Sequence, residues 1–132
     1  MTDFKGIRAL IIDDDEASVN VLGYLLHALE VEVDVITDSH WISEKIGTIT
    51  RPHVVFLDLE MPAMNGYQVL SSLRGLPLFE GVPIIAYTTH VSHMNEARSA
   101  GFDGFLGKPL ERKTFPDLLA MMLRGEGVWV TR

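Results

Sequence analysis

The sequence predicts an α/β protein, a parallel sheet with helices on both faces. Three observations carry this. Short apolar runs alternate with helix-period segments along all 132 residues. Parallel strands need crossover connections, which such alternation supplies. The apolar runs also end abruptly in polar residues, as buried strands do where they reach the rim of a sheet. Hydrophobic residues make up 47% of the chain and charged ones 22%, enough for one core.

The first strand is Arg8 to Ile12, apolar after its arginine and followed by Asp13, Asp14, Asp15 and Glu16. Ala17 to Leu29 carries Val19, Leu22, Leu26 and Leu29 at helical spacing. Val31 to Ile36 alternates apolar with acidic residues, which fits a strand with one more exposed face. A helix is expected over Ser39 to Ile49. His53 to Leu57 is a second buried run, ended by Asp58. Gly66 to Arg74 reads as a helix, Val82 to Tyr87 as a strand ending at Thr88, and Val91 to Ala100 as a helix stopped by Gly101. Phe102 to Leu106 is a short strand before Lys108, and Glu111 to Arg124 is the last helix. The expectation is five strands and five helices in one domain, residues 1–124, with 125–132 a C-terminal tail or linker stub.

Composition excludes several functions. The net charge of −7 argues against unaided binding to nucleic acid or anionic membrane, which require clustered positive charge. There is no cysteine, so disulfides, thiol nucleophiles and Cys-type metal sites are absent. The longest apolar run, Leu118 to Leu123, is far short of the roughly 20 residues of a membrane span. The first residues lack a signal-peptide core. A cytoplasmic location is expected. The five histidines, with His90 and His93 three apart, read as surface residues without a third ligand nearby. Trp41 and Trp129 read as packing residues, and Met121 and Met122 as core.

In an open parallel sheet the ligand crevice lies off the carboxyl ends of the strands. Asp13, Asp14, Asp58, Thr88 and Lys108 all fall there. Converging carboxylates repel one another and are costly to desolvate. A hard divalent cation and an ammonium group would relieve both costs, and Mg²⁺ prefers such oxygen ligands. A carboxylate nucleophile, a metal, a lysine and a hydroxyl are together the parts needed for phosphoryl transfer to an aspartate.

Four segments in order, LIIDDDEASVNVL, HVVFLDLEMPAMNGYQVL, PIIAYTTH and AGFDGFLGKPL, resemble the receiver domain of two-component response regulators over roughly residues 6–124. The spacings agree, with Asp58 44 residues after Asp14 and Thr88 30 after Asp58. The resemblance implies a flavodoxin-like (βα)5 doubly wound sheet of five strands in the order 2-1-3-4-5. It implies that Asp58 is the phosphoacceptor and that Mg²⁺ is held by Asp14, Asp58 and the backbone carbonyl of Glu60, with Asp13 acting mainly through water. Thr88 and Lys108 would contact the phosphoryl group, and Thr88 and Phe105 would form the switch. Thr89, His90 and Pro109 edge the site, and Met61-Pro62 and Asn65-Gly66 match the loop behind it. The implied partners are a histidine kinase or phosphotransfer protein and a downstream target or fused output domain, reached through the face of the fourth helix, fifth strand and fifth helix. The domain would modify only itself and not act as an enzyme on a metabolite.

There are departures from the family pattern. Thr88 and Lys108 are 20 residues apart, about two fewer than is usual, a change small enough for a loop or helix end. Thr89 replaces a common alanine, and His53 replaces an acid. A second reading is a haloacid dehalogenase-like, Mg²⁺-dependent phosphatase with Asp13 as nucleophile. Ala17 departs from the motif of those enzymes, and the chain has no room for a cap domain. An FMN-binding flavodoxin is disfavoured, because four acids replace the Gly/Ser/Thr-rich loop that phosphate needs.

Overall fold

Strands β1 (Arg8–Ile12), β3 (Val54–Asp58) and β4 (Ile84–Thr88) are buried along their length apart from Arg8, a pattern that only a sheet covered on both faces permits. The computed structural model describes residues 3–38, 42–61 and 65–131. Its sheet is parallel and runs β2-β1-β3-β4-β5-β6, with β2 at Glu32–Ile36, β5 at Gly104–Gly107 and β6 at Val128–Val130. The expected five-strand order is present, with one strand added at its end.

Alternate residues of each strand face opposite layers. Leu10, Ile12, Val55, Leu57, Ile84, Ala86 and Phe105 pack with α3 (Gly66–Arg74), with Ala97 of α4 (Met94–Ala100) and with Ile46 of α2 (Ile42–Ile46). Ala9, Ile11, Phe56, Ile85, Tyr87 and Leu106 face the other way, onto α1 (Glu16–Ala28) and α5 (Phe115–Leu123). The two layers fix the direction of every strand-end side chain.

Several boundaries differ from the sequence expectation for local reasons. The last helix starts at Phe115, not Glu111, because Pro116 lacks an amide hydrogen and is tolerated only in a first turn. Val91–His93 forms a 3₁₀ turn without a side-chain cap, so α4 begins at Met94. Gly101, at φ 104°, stops α4 as expected. The start of the helix expected from Ser39, together with Trp41 and Pro62, lies outside the described residues.

The stretch 125–132, expected as a tail or linker stub, instead supplies β6. Its two valines and tryptophan favour strand, but three residues are too few to show a period. Trp129 pairs with Phe105 in register, packs against the core layer that holds Phe105, and carries Arg98 4.3 Å from its ring centroid. Gly104 lets β6 approach, since a Cβ there would lie 2.7 Å from the Val128 carbonyl oxygen. Gly104→Ala should therefore destabilise the protein by about 1–3 kcal/mol through overpacking, read as a lower urea midpoint with an unchanged slope. An unchanged midpoint would show that β6 is not held at this distance.

Candidate functional site

The acidic run after β1 divides in two. Asp15 caps α1, accepting the Ser18 amide at 3.3 Å and the Ser18 hydroxyl at 2.7 Å. That hydroxyl bond leads the causes that hold the Asp15 carboxyl below its ordinary range. Asp13 and Asp14 turn to the strand ends instead, Asp13 fully buried and Asp14 exposed. Asp58 ends β3 beside Tyr87 of β4 and is 2% exposed. Asp13, Asp14 and Asp58 each offer a carboxylate oxygen, and the three oxygens lie within 4.8 Å of one another. An all-oxygen set open to solvent at Asp14 fits a hard divalent cation such as Mg²⁺.

Lys108 follows β5 and is fixed by its backbone amide, which donates to the Thr88 carbonyl at 2.8 Å. Its Nζ lies 3.4 Å from Asp13 Oδ2, 3.7 Å from Asp58 Oδ1 and 3.0 Å from Ser18 Oγ. The Lys108–Pro109 peptide bond is cis. Burial pushes the Asp58 carboxyl up, Lys108 opposes this and the Asp13 charge adds to it, with the result at about 7. One ammonium does not balance two buried carboxylates.

The back of the site is equally close. Asn65 caps α3 by accepting the Tyr67 amide at 2.7 Å. A Cβ on Gly66 would come within 2.9 Å of the Asp58 carbonyl oxygen, so only glycine lets α3 start against β3. Met61 is buried behind the site.

At the rim the Glu60 side chain collects donors. Its Oε1 accepts from the Thr88 hydroxyl, the Thr89 hydroxyl at 3.1 Å and the His90 amide at 3.2 Å, and it lies 2.6 Å from His90 Nδ1. Burial acts to raise the Glu60 carboxyl, but these hydrogen bonds and the His90 charge hold it at about 2. The structure thus brings together Asp13, Asp14, Asp58, Thr88 and Lys108, with Thr89, His90 and Pro109 near the edge. Phe105 is fully buried one strand away, opposite Ala86.

Sequence reasoning missed Tyr87 and Ser18. Tyr87 donates its hydroxyl to Asp13 Oδ2 at 2.9 Å, and its ring lies 4.2 Å from Lys108 Nζ. The available signal was a lone phenol at the polar end of an otherwise aliphatic strand.

Residues 9–120 match the family model described as the response regulator receiver domain. The chain belongs to the response regulator receiver family. Its relatives include the signal transduction histidine-protein kinase BarA of Escherichia coli K12, 26% identical over 92% of this chain. Protein PilG of Pseudomonas aeruginosa is 26% identical, covering 82% of this chain and 81% of its own. The chain spans only 13% of the Escherichia coli kinase. Among solved structures, the fold resembles a chemotaxis response regulator of Vibrio cholerae, with TM-score 0.77, 24% identity, and coverage of 88% of this chain and 98% of that one. It also resembles the receiver domain of a Pseudomonas aeruginosa sensor histidine kinase, solved with a magnesium ion coordinated in its active-site cleft (TM-score 0.78, 22% identity, 90% and 98% covered). This receiver has no support for the alternative of a phosphatase with Asp13 as nucleophile. No helix among its described residues is long and apolar enough to cross a membrane.

The Asp58 shift gives a pH signature. Unfolded Asp58 loses its proton near 3.8, whereas the folded site keeps it to about 7. The folded state binds more protons between these values, so this group makes stability fall as pH rises through that window. Glu60, held at about 2 from 4.5, acts with the opposite sign and overlaps that window only at its acidic end. Metal-free Asp58→Asn should melt higher than wild type at pH 8, with a flatter pH dependence from 4 to 7. Equal slopes in a thermal melt series would contradict the assignment.

Proposed function

We propose that Asp58 is the phosphoacceptor of this receiver and that Asp14, Asp58 and the Glu60 carbonyl hold Mg²⁺, with Asp13 acting through water. The observation that carries the reading is the convergence of three carboxylates within 4.8 Å, with Lys108 3.7 Å from Asp58. An Asp58 carboxylate oxygen attacks the phosphorus of a phosphohistidine on a histidine kinase or phosphotransfer protein. The P–O bond forms as the P–N bond breaks, and the imidazole leaves with the electron pair. Lys108 and Thr88 supply donors to the phosphoryl oxygens. Bound Mg²⁺ supplies further neutralisation of the charge there. Later attack by water returns the Asp58 carboxylate and releases phosphate, so the domain modifies itself and turns over no metabolite.

Glu60 gives this reaction a particular feature. The Thr88 hydroxyl must leave the Glu60 carboxylate to reach a phosphoryl oxygen, so the two anions compete for one donor. Movement of Thr88 would be felt at Phe105, a strand away, and from there at α4 and α5. We place the output surface on the face of α4, β5 and α5, with β6 forming its outer strand. A downstream protein or a fused output domain would read it, in the cytoplasm. The net charge of −7 argues against direct nucleic-acid or membrane contact.

Intact-mass spectrometry with acetyl phosphate tests the reading. Wild type should gain one phosphoryl group only when Mg²⁺ is present, and Asp58→Asn should gain none. An equal gain by Asp58→Asn would place the acceptor elsewhere.

A further inference from the structure

Tyr87 lies outside the residues that the receiver pattern assigns, yet it touches two of them at once. Its side chain is 1% exposed. Its hydroxyl donates to Asp13 Oδ2 at 2.9 Å, while the other oxygen, Oδ1, accepts the Asp15 amide at 2.9 Å. The Asp13 carboxylate is thus held at both ends by protein donors, which fixes its plane. The Lys108 ammonium lies over the face of the same ring, 4.2 Å from its centroid, with Ser18 Oγ 3.0 Å away. An aromatic face attracts a cation through its quadrupole. The ring and the serine therefore hold Lys108 beside Asp13 at 3.4 Å, slightly farther from Asp58 at 3.7 Å.

We propose that Tyr87 is a positioning residue with two separable roles, its hydroxyl orienting Asp13 for the cation site and its ring, with Ser18, orienting Lys108 for the phosphoryl group. The inference rests on the receiver reading above. It follows from the strand register, since Tyr87 stands beside Asp58 and points to the same layer as α1, from which Ser18 rises.

The two roles predict different losses. Tyr87→Phe keeps the ring and removes the donor. Its Mg²⁺ affinity, measured by calorimetric titration with MgCl₂, should fall by about fivefold, the equivalent of one ordinary hydrogen bond. Its half-saturating acetyl phosphate concentration, measured by intact mass at saturating Mg²⁺, should match wild type. Ser18→Ala, on the surface of α1, should do the reverse, raising that concentration while leaving Mg²⁺ affinity alone. Tyr87→Leu should show both losses, whereas Tyr87→Phe, which keeps the ring, should show the Mg²⁺ loss alone. A merely structural role would lower stability and move both quantities together in every variant, which would overturn the proposal. Mg²⁺ affinity of Tyr87→Phe equal to wild type would also overturn it. So would an unchanged half-saturating concentration in Ser18→Ala. If Tyr87→Leu does not fold, the other two variants decide the matter. Wild type that binds Mg²⁺ but takes up no phosphoryl group would instead overturn the receiver reading.

Discussion

Two carboxylates, Asp13 and Asp58, are buried at the carboxyl end of the sheet with a single lysine ammonium reaching both. Much of the rest of the molecule can be read as the means of holding that imbalance. Buried charge is tolerated when hydrogen bonds and counter-charges satisfy it, and it is costly when they do not. Asp13 has its donors in Tyr87, the Asp15 amide and Lys108. Asp58 has Lys108 and, at 3.1 Å, the Glu60 amide. The deficit falls on Asp58, whose carboxyl is pushed up by burial to about 7. A group so placed is stabilised by any cation that approaches through the exposed Asp14.

The fold supplies the positions. Strands β1, β3 and β4 end within one rim, and β5 delivers Lys108 from the next position. One close approach makes that rim tight, Gly66 against the Asp58 carbonyl, and at the opposite end of β5 Gly104 lies close against β6. The sixth strand changes the far side of the sheet. Phe105 is flanked on one side by Ala86 and on the other by Trp129, which in turn carries Arg98 of α4. Burial of Phe105 therefore involves β6 as well as the layer of α3 and α4.

Most of the fold was legible because its signals are long or sharply bounded. The apolar runs at Arg8–Ile12, His53–Leu57 and Val82–Tyr87, each closed by a polar residue, fall within a residue or two of the observed strands. The helix Gly66–Arg74 matches throughout. Where the reading failed, a local rule was overridden or the signal was too short. Pro116 cut the last helix, and three residues of β6 carried no period. The cluster at the strand ends was legible in Asp13, Asp14, Asp58, Thr88 and Lys108, because polar and charged residues there stand out against apolar runs. Tyr87 and Ser18 were not, since a strand tyrosine and a helix serine look like packing and solvated surface until the register sets them together. The hydrogen bonds that Glu60 accepts were hidden for a similar reason, as its donors come from 28 to 30 residues away.

The central claim is that the clustered carboxylates are held short of positive charge and are relieved by a divalent cation entering through Asp14. A ligand that binds only the folded state raises its melting temperature with concentration. The most direct measurement is therefore the melting temperature of wild type and Asp14→Ala across a MgCl₂ titration at constant ionic strength. The account predicts a steady rise for wild type and a flat line for Asp14→Ala, which starts at or above the metal-free wild-type value. An equal rise in both proteins, or a metal-free Asp14→Ala clearly less stable than wild type, would contradict it.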